Sequence, residues 1–412
     1  MTFDEFVDVQ NPMAEVIISP IPKIFPSIDY RLNTVTIKLK DSLESNTTYS
    51  FNFGNSIKDI NESNVLKNFT YVFSTGSYID SLEFNGKVIL AETGKTDSTL
   101  IVMLYSSSDD SAILREKPRY VTKLDRGGNF RFKNLPQKTF YVYALKDEGG
   151  SRRYNSENQL FAFADSAVVA GQSKDFTLYA YSSTKPAPTP ALPPGLGGNR
   201  NRPANNVADR RLKYTTNLTS GQQDLLGEFV ITFEQPLRTF DATKLRLHTD
   251  TTFTPVPSYR FEKDSTNRKL QLEHTWKENT TYHLILDKDF AEDTLGKKLL
   301  KTDTLSFRTK RLADYASLKL RFRNLELSKN PVLQFVQNSI VVRSYAMTDA
   351  ILTQSIFLPG EYELRILFDD NKNGKWDPGV FFGKHKQPEL VKPIDRRITV
   401  KAGSENDFEI AL

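Results

Sequence analysis

The chain contains no cysteine, so disulfides, thiol nucleophiles and Cys-ligated metals are all excluded, and packing must supply the stability. That absence leaves an extracytoplasmic home open. Histidine is scarce: His248, His274, His283 and His385 are the four in 412 residues, and they fall in no metal-ligand or triad spacing. His283 reads as a polar outward position on a strand. No P-loop, GxSxG or HExxH string occurs, so the constellation a hydrolase or transferase needs is missing and the expectation is a non-enzyme. Net charge is only +5, with both signs interspersed, which gives no electrostatic footprint for nucleic acid or an anionic membrane. The local exception, Arg200, Arg202, Arg210, Arg211 and Lys213, reads as a solvated linker flank, the other reading being an anionic partner such as lipopolysaccharide. No apolar run is long enough to span a bilayer.

What the sequence does have is a duplication. NTTY at Asn46–Tyr49 returns at Asn279–Tyr282, FST at Phe73–Thr75 returns as FRT at Phe307–Thr309, and AGQSKDF at Ala170–Phe176 returns as AGSENDF at Ala402–Phe408. A repeat of this length is a duplicated pair of domains rather than a solenoid unit. Short alternating apolar runs rich in Phe, Tyr and β-branched residues, separated by Asn, Asp, Gly and Pro turns, make each domain all-β. The expected order is a sandwich at 1–78, a second β-module at 79–183, a Pro/Gly-rich linker at 184–206, then the same pair at 207–311 and 312–412. The linker, with a polyproline half and a flexible half, implies two separable bodies. TFDEFV at Thr2–Val7 aligns with TFEQPL at Thr232–Leu237. The second copy carries strand-like KYTTNL and FVI ahead of that point, whereas the first carries only Met1, so the first sandwich is expected to lack its opening strand and most of the next.

These residues carry a resemblance. The TFDEFV start, NTTYSFNFGNSIKD and the closing FTYVFSTG resemble the SbsA-type bacterial Ig-like domain of Bacteroidota envelope proteins. DRGGNFRFKNLPQKTFYVYALKD is similar to the transthyretin-like fold of carboxypeptidase-regulatory domains. The resemblance implies four β-sandwiches in an outer-membrane or cell-surface protein with no assigned activity, attached to the membrane only by a lipid anchor that is absent from this chain. Both folds serve as scaffolds under many functions.

The sharpest local signal is FDDNKNGKWD at Phe368–Asp377. Asp369, Asn371 and Asn373 at positions 1, 3 and 5, then Gly374 at 6 and Asp377 at 9, match the first half of an EF-hand calcium loop. Val380 stands where the bidentate Glu belongs, so a site would borrow a carboxylate from elsewhere. The other reading is an Asn-Gly turn held by its own side chains. In the first copy the loop keeps its length, with Asp147 opposite Asp369 and Tyr154 opposite Trp376, but loses the two Asn ligands. Apart from calcium, no cofactor is expected. Asp followed by Ser or Thr and then a small or aliphatic residue recurs at Asp41, Asp80, Asp110, Asp165, Asp293 and Asp303; it resembles an O-glycan acceptor motif of extracytoplasmic Bacteroidota proteins and is equally good turn chemistry. Trp276 reads as core. Tyr154, Tyr179 and Tyr181 read as packed strand aromatics or, less simply, as a sugar-stacking surface. The functional expectation is an adhesion-like scaffold engaging a protein or glycan at the envelope, with a carbohydrate-binding accessory protein as the alternative.

Overall fold

The computed structural model describes residues 1–171, 176–183 and 211–412. The linker at 184–206 and Arg200, Arg202 and Arg210 lie outside them. The protein is all-β, and it divides into two compact units.

The first unit comprises Met1–Pro190, Glu326–Thr348 and Glu363–Arg396. Its opening module has a sheet of Ile17–Ser19, Thr48–Asn52 and Thr70–Ser74, with two smaller ladders joining Val7–Val9 to Ile57–Asp59 and Ser27–Arg31 to Thr34–Lys38. Period-two alternation sends Tyr49, Phe51 and Phe53 inward to Val7, Val16, Ile18 and Val35. In the second module, Asn129–Leu135 and Thr177–Ala180 flank Leu82–Leu90, the latter in parallel register, while Tyr120–Lys123, Leu100–Tyr105, Thr139–Lys146 and Phe161–Phe163 form the other sheet. NFRFKNL alternates exposed and buried residues, which places Phe130, Phe132 and Leu135 in one core with Phe84 and Phe140. The unit also takes in, from the second copy, Pro331–Gln337, Ile340–Ala346 and the adjoining parts of Gly360–Phe368 and Leu390–Val400.

The second unit holds the repeat of the opening module. One sheet runs Tyr214–Thr216, Phe229–Phe233, Lys269–Glu273, Arg260–Lys263, and the other runs Gln222–Gln223, Asp303–Thr309, Thr281–Leu286, Leu245–Thr249, Thr254–Pro255. Its core includes Phe229, Ile231, Leu272, Trp276, Tyr282 and Phe307. A further sheet, Ile351–Phe357, Ala316–Arg323, Glu405–Ala411, belongs to the same unit, and its last strand is again parallel.

Strand orders repeat between the two copies of the second module, including the one parallel neighbour of the sheets centred on Leu82–Leu90 and Ala316–Arg323. The match extends to single bonds. Tyr49 pairs with Phe73 and Tyr282 with Phe307, the rings stacked at 5.6 and 5.9 Å, each pair inclined by 16°. The Tyr49 hydroxyl accepts from the Glu44 amide as the Tyr282 hydroxyl accepts from that of Lys277. The repeat predicts burial of Tyr49, Tyr282, Phe73 and Phe307 alike; Tyr49, Tyr282 and Phe307 are buried, but Phe73 is only half-buried.

Candidate functional site

The Asp369 loop follows the strand Gly360–Phe368 and leads into Leu390–Val400. Asp369 is buried, and both its carboxylate oxygens are used: Oδ1 accepts from the Asn373 amide at 3.2 Å and Oδ2 from the Gly374 amide at 2.6 Å. The Asn371 and Asn373 side-chain oxygens each accept from the amide two residues on, at 3.0 and 2.7 Å. Both Asn side chains donate to Asp377 Oδ2, Asn373 at 2.8 Å. Gly374 supplies the bend with φ +76°. The structure therefore brings Asp369, Asn371, Asn373 and Asp377 together, and as they stand they hold a turn.

Sequence reasoning missed Glu389. It is buried, and its carboxylate accepts from the Asp370 and Asp377 amides, both at 3.0 Å. Burial first, then the neighbouring charges of Asp369 and Asp377, push its carboxyl above the ordinary range, despite those two bonds. Nothing but an acid just ahead of an apolar strand marked Glu389. Among the described residues no three Asp, Glu or His side chains are arranged as a metal-holding group. In the first copy, Asp147 Oδ2 accepts from the Arg152 amide at 3.0 Å, so the turn survives there without the two asparagines.

Beyond Asp377 the chain becomes an arm that packs on the first copy's second module. Phe381 sits in an aromatic box, 5.6 Å from Tyr143, 5.3 Å from Phe161 and 5.0 Å from Phe163. Burial pushes the Tyr143 hydroxyl up to about 12, so this wall is neutral at any ordinary pH. His385 stacks on Phe381 at 4.9 Å and meets Asp110 Oδ2 at 2.7 Å, while Gln387 Nε2 donates to the Phe163 carbonyl at 3.0 Å and to Asp165 at 2.7 Å. The Val391 amide donates to the Ala91 carbonyl at 2.9 Å. Trp376, Phe381 and Val391 belong to one continuous core with Tyr105, Tyr143, Phe161 and Phe163. The copies are therefore not separable bodies, because apolar side chains of the second complete a core begun by the first.

The remaining candidates resolve into structure. Tyr154 and Tyr181 are buried in that same core and Tyr179 packs against it, so they form no exposed sugar platform. Trp276 is core, its Nε1 donating to the Gly227 carbonyl at 3.1 Å. His283 lies on the strand Thr281–Leu286, bonded through Nδ1 to Ser306 at 2.8 Å and stacked on Phe253 at 4.6 Å. Asp293 spends Oδ1 on the Leu295 and Lys297 amides, a turn role. Ser42, Ser81, Ser166, Thr294 and Thr304 of the Asp-Ser/Thr pairs are exposed, while Ser111 is half-buried. Lys213 lies 3.9 Å from Glu234. The first unit also contains a cleft of about 1660 Å³, lined among others by Asn52, Asn68, Asn85, Lys87, Asn129 and Arg131.

With this geometry in place, comparison with known proteins adds one family. Residues 1–75 match the bacterial Ig-like domain. By the repeat, the module of Phe229–Phe233 and Thr281–Leu286 is its counterpart in the second unit. No curated protein matches the chain. Similar solved structures include the major pilin subunit BcpA of Bacillus cereus, at 8% identity over 81% of this chain and 99% of that one with a TM-score of 0.20. The major pilin SpaD of Corynebacterium diphtheriae stands at 8% over 80% and 96% with 0.17, and an LD transpeptidase at 12% over 49% and 90% with 0.21. Likenesses this low carry no argument about function, for the pilins or for the transpeptidase. No helix of the described residues is long and apolar enough to cross a membrane.

Proposed function

We propose that this chain is a non-enzymatic scaffold of the bacterial cell surface, which holds Ig-like and transthyretin-like modules in fixed geometry for an adhesion-like contact with a protein or glycan of the envelope. An outer-membrane placement would rest on a lipid anchor whose acceptor cysteine is not in the sequence given. The observation that carries the reading is the docked arm: Phe381 and its neighbours give modules from both copies one shared core, an investment in rigidity between modules. The bacterial Ig-like match supports a surface role without naming a partner. Protease shaving of intact cells tests it. A surface scaffold is digested with the cells intact, whereas full protection until lysis overturns the placement.

The Asn-rich cleft favours carbohydrate as the partner class over a featureless protein contact, since amide and guanidinium groups suit sugar hydroxyls. A glycan array with wild type and Asn85→Ala separates the two, glycan binding being saturable and weakened by the substitution. For the Asp369 loop, the oxygen set completed by Glu389 supports a weak calcium site that would stiffen the root of the arm.

A further inference from the structure

In the Ig-like module of the second unit, the ladder sets His248 directly opposite His283, and His283 directly opposite Ser306. Side chains so opposed stand about 4.5–5.5 Å apart at Cβ. Leu247 and Leu284 point the other way, into the core, so the two imidazoles share the outer face of the sheet. Each ring keeps one buried nitrogen with no hydrogen-bond partner, Nδ1 in His248 and Nε2 in His283. Ser306 Oγ lies 2.8 Å from His283 Nδ1. With that hydroxyl accepting, the single proton of the neutral ring sits on Nδ1 and the Nε2 lone pair is bare. Phe253 closes the top of the pair. Its φ of +56° is a left-handed conformation that a bulky residue rarely adopts, and Asp250 fixes the turn by accepting from the Thr252 amide and hydroxyl at 2.8 and 2.6 Å. The Phe253 ring consequently stacks on His283 at 4.6 Å and stands edge-on to His248 at 6.0 Å. A ring on the face of an imidazole leaves the in-plane lone pair free. The first copy has none of this row: Ser19 stands opposite Ser50, and Ser50 opposite Val72.

We propose that His248 and His283 form a two-histidine site for a borderline divalent transition-metal ion, Zn²⁺ or, more tightly, Cu²⁺. Imidazole nitrogen suits these ions rather than calcium, and Cu²⁺ outranks Zn²⁺ at a given nitrogen site. Buried polar atoms without a partner are costly, and a cation about 2.0–2.1 Å from each ring satisfies both bare lone pairs at once. The bond to Ser306 is the outer contact that a metal-ligating histidine makes through its other nitrogen, fixing tautomer and ring orientation. Ser306 is therefore a positioning residue. Two protein nitrogens leave further coordination positions for water or for a donor from another molecule, so the site is open. The ligands and the hydroxyl behind them are replaced together in the first copy, which makes metal binding a property of the second module alone. A water donating to both rings is the competing occupant, and a metal titration separates the two.

The test is a titration of the full chain with Cu²⁺ and with Zn²⁺ at neutral pH. Uptake of one ion should be saturable below millimolar concentration and weakened at least tenfold by His248→Ser and by His283→Ser. Each of these installs the residue that the first copy carries at the matching position. The double variant should be little weaker than either single one, because the two rings act as one chelate. Ser306→Val should weaken uptake less, and Ser306→Thr, which keeps the hydroxyl, should restore it. Electron paramagnetic resonance of the Cu²⁺ complex should show coupling to two imidazole nitrogens in wild type and to fewer in the serine variants. His274→Ala, His385→Ala and Asp369→Ala should leave uptake unchanged. If a serine variant fails to fold, the wild-type nitrogen count and these three controls still decide. No saturable uptake, uptake undiminished by His248→Ser, its loss in His385→Ala or Asp369→Ala instead, or a Cu²⁺ spectrum without two nitrogens would each overturn the proposal.

Discussion

Phe381→Ala is the sharpest test of the shared core. The ring is 5% exposed and sits among Tyr143, Phe161, Phe163, Phe382 and His385, so the substitution removes a fully packed aromatic and leaves a cavity walled by other rings. Such truncations cost about 3–5 kcal/mol. At about 1.4 kcal/mol per factor of ten, the undocked population of the arm should rise by roughly 10² or more. Hydrogen exchange at the Val391 amide reads this directly, because its bond to the Ala91 carbonyl breaks when the arm leaves. Protection there should fall by that factor, while amides of Thr281–Leu286 keep theirs. Fluorescence offers a second reading: the chain has two tryptophans, so in a Trp276→Phe background the emission of Trp376 should shift red on undocking. Phe381→Leu, which keeps most of the apolar volume, should cost less. A fall in Val391 protection below tenfold for the alanine variant would refute the claim that the ring pins the arm.

Three other outcomes follow from the same geometry. A side chain at Gly94 (φ +67°) would clash with Pro393 Cδ and meet the Val391 carbonyl at 2.6 Å, so Gly94→Ala should lower the first unit's melting temperature by several degrees in a thermal scan. Phe307→Ala should cost about 3–5 kcal/mol by denaturant unfolding and Phe73→Ala markedly less, because the Phe73 ring is half-open; equal costs would refute the difference in burial between the copies. Glu389 has a folded-state pKa above its unfolded value, so its stabilising contribution is full below the ordinary carboxyl range and is lost as pH rises through the shifted value. Arm protection should therefore drop as pH climbs from below the ordinary carboxyl range through the raised value, and millimolar calcium should restore it in wild type but not in Asp369→Ala. Equal protection with calcium and with chelator would leave the hydrogen-bonded turn alone.

Much of this fold was legible because the chain is its own reference. Tyr49 and Tyr282 occupy matching positions, and alternation alone was enough to aim Phe51, Phe130 and Phe132 inward. The arm was not legible. Phe381 and Phe382 stand in a long polar loop with no period, and their partners lie more than two hundred residues away, so no local pattern announces them. The same holds for Glu389, whose meaning depends on two backbone amides that only the folded turn presents. The loop's signal was read for its oxygens, whereas its most consequential atoms are the rings that follow them. Phe73 was misjudged for the converse reason: alternation predicts which way a ring faces, and says nothing of whether a neighbouring strand arrives to cover it.

The arm also alters what a cut means. A protease acting anywhere from 184 to 206 severs the covalent path between the copies, yet Phe381, Trp376 and Val391 remain seated in the core around Phe161 and Phe163. The nicked protein should therefore travel as one particle on a sizing column and come apart only in denaturant. By the same logic the two copies, expressed as separate polypeptides, should find each other and reassemble, so that the duplication has produced a plug and its socket out of what began as two identical parts.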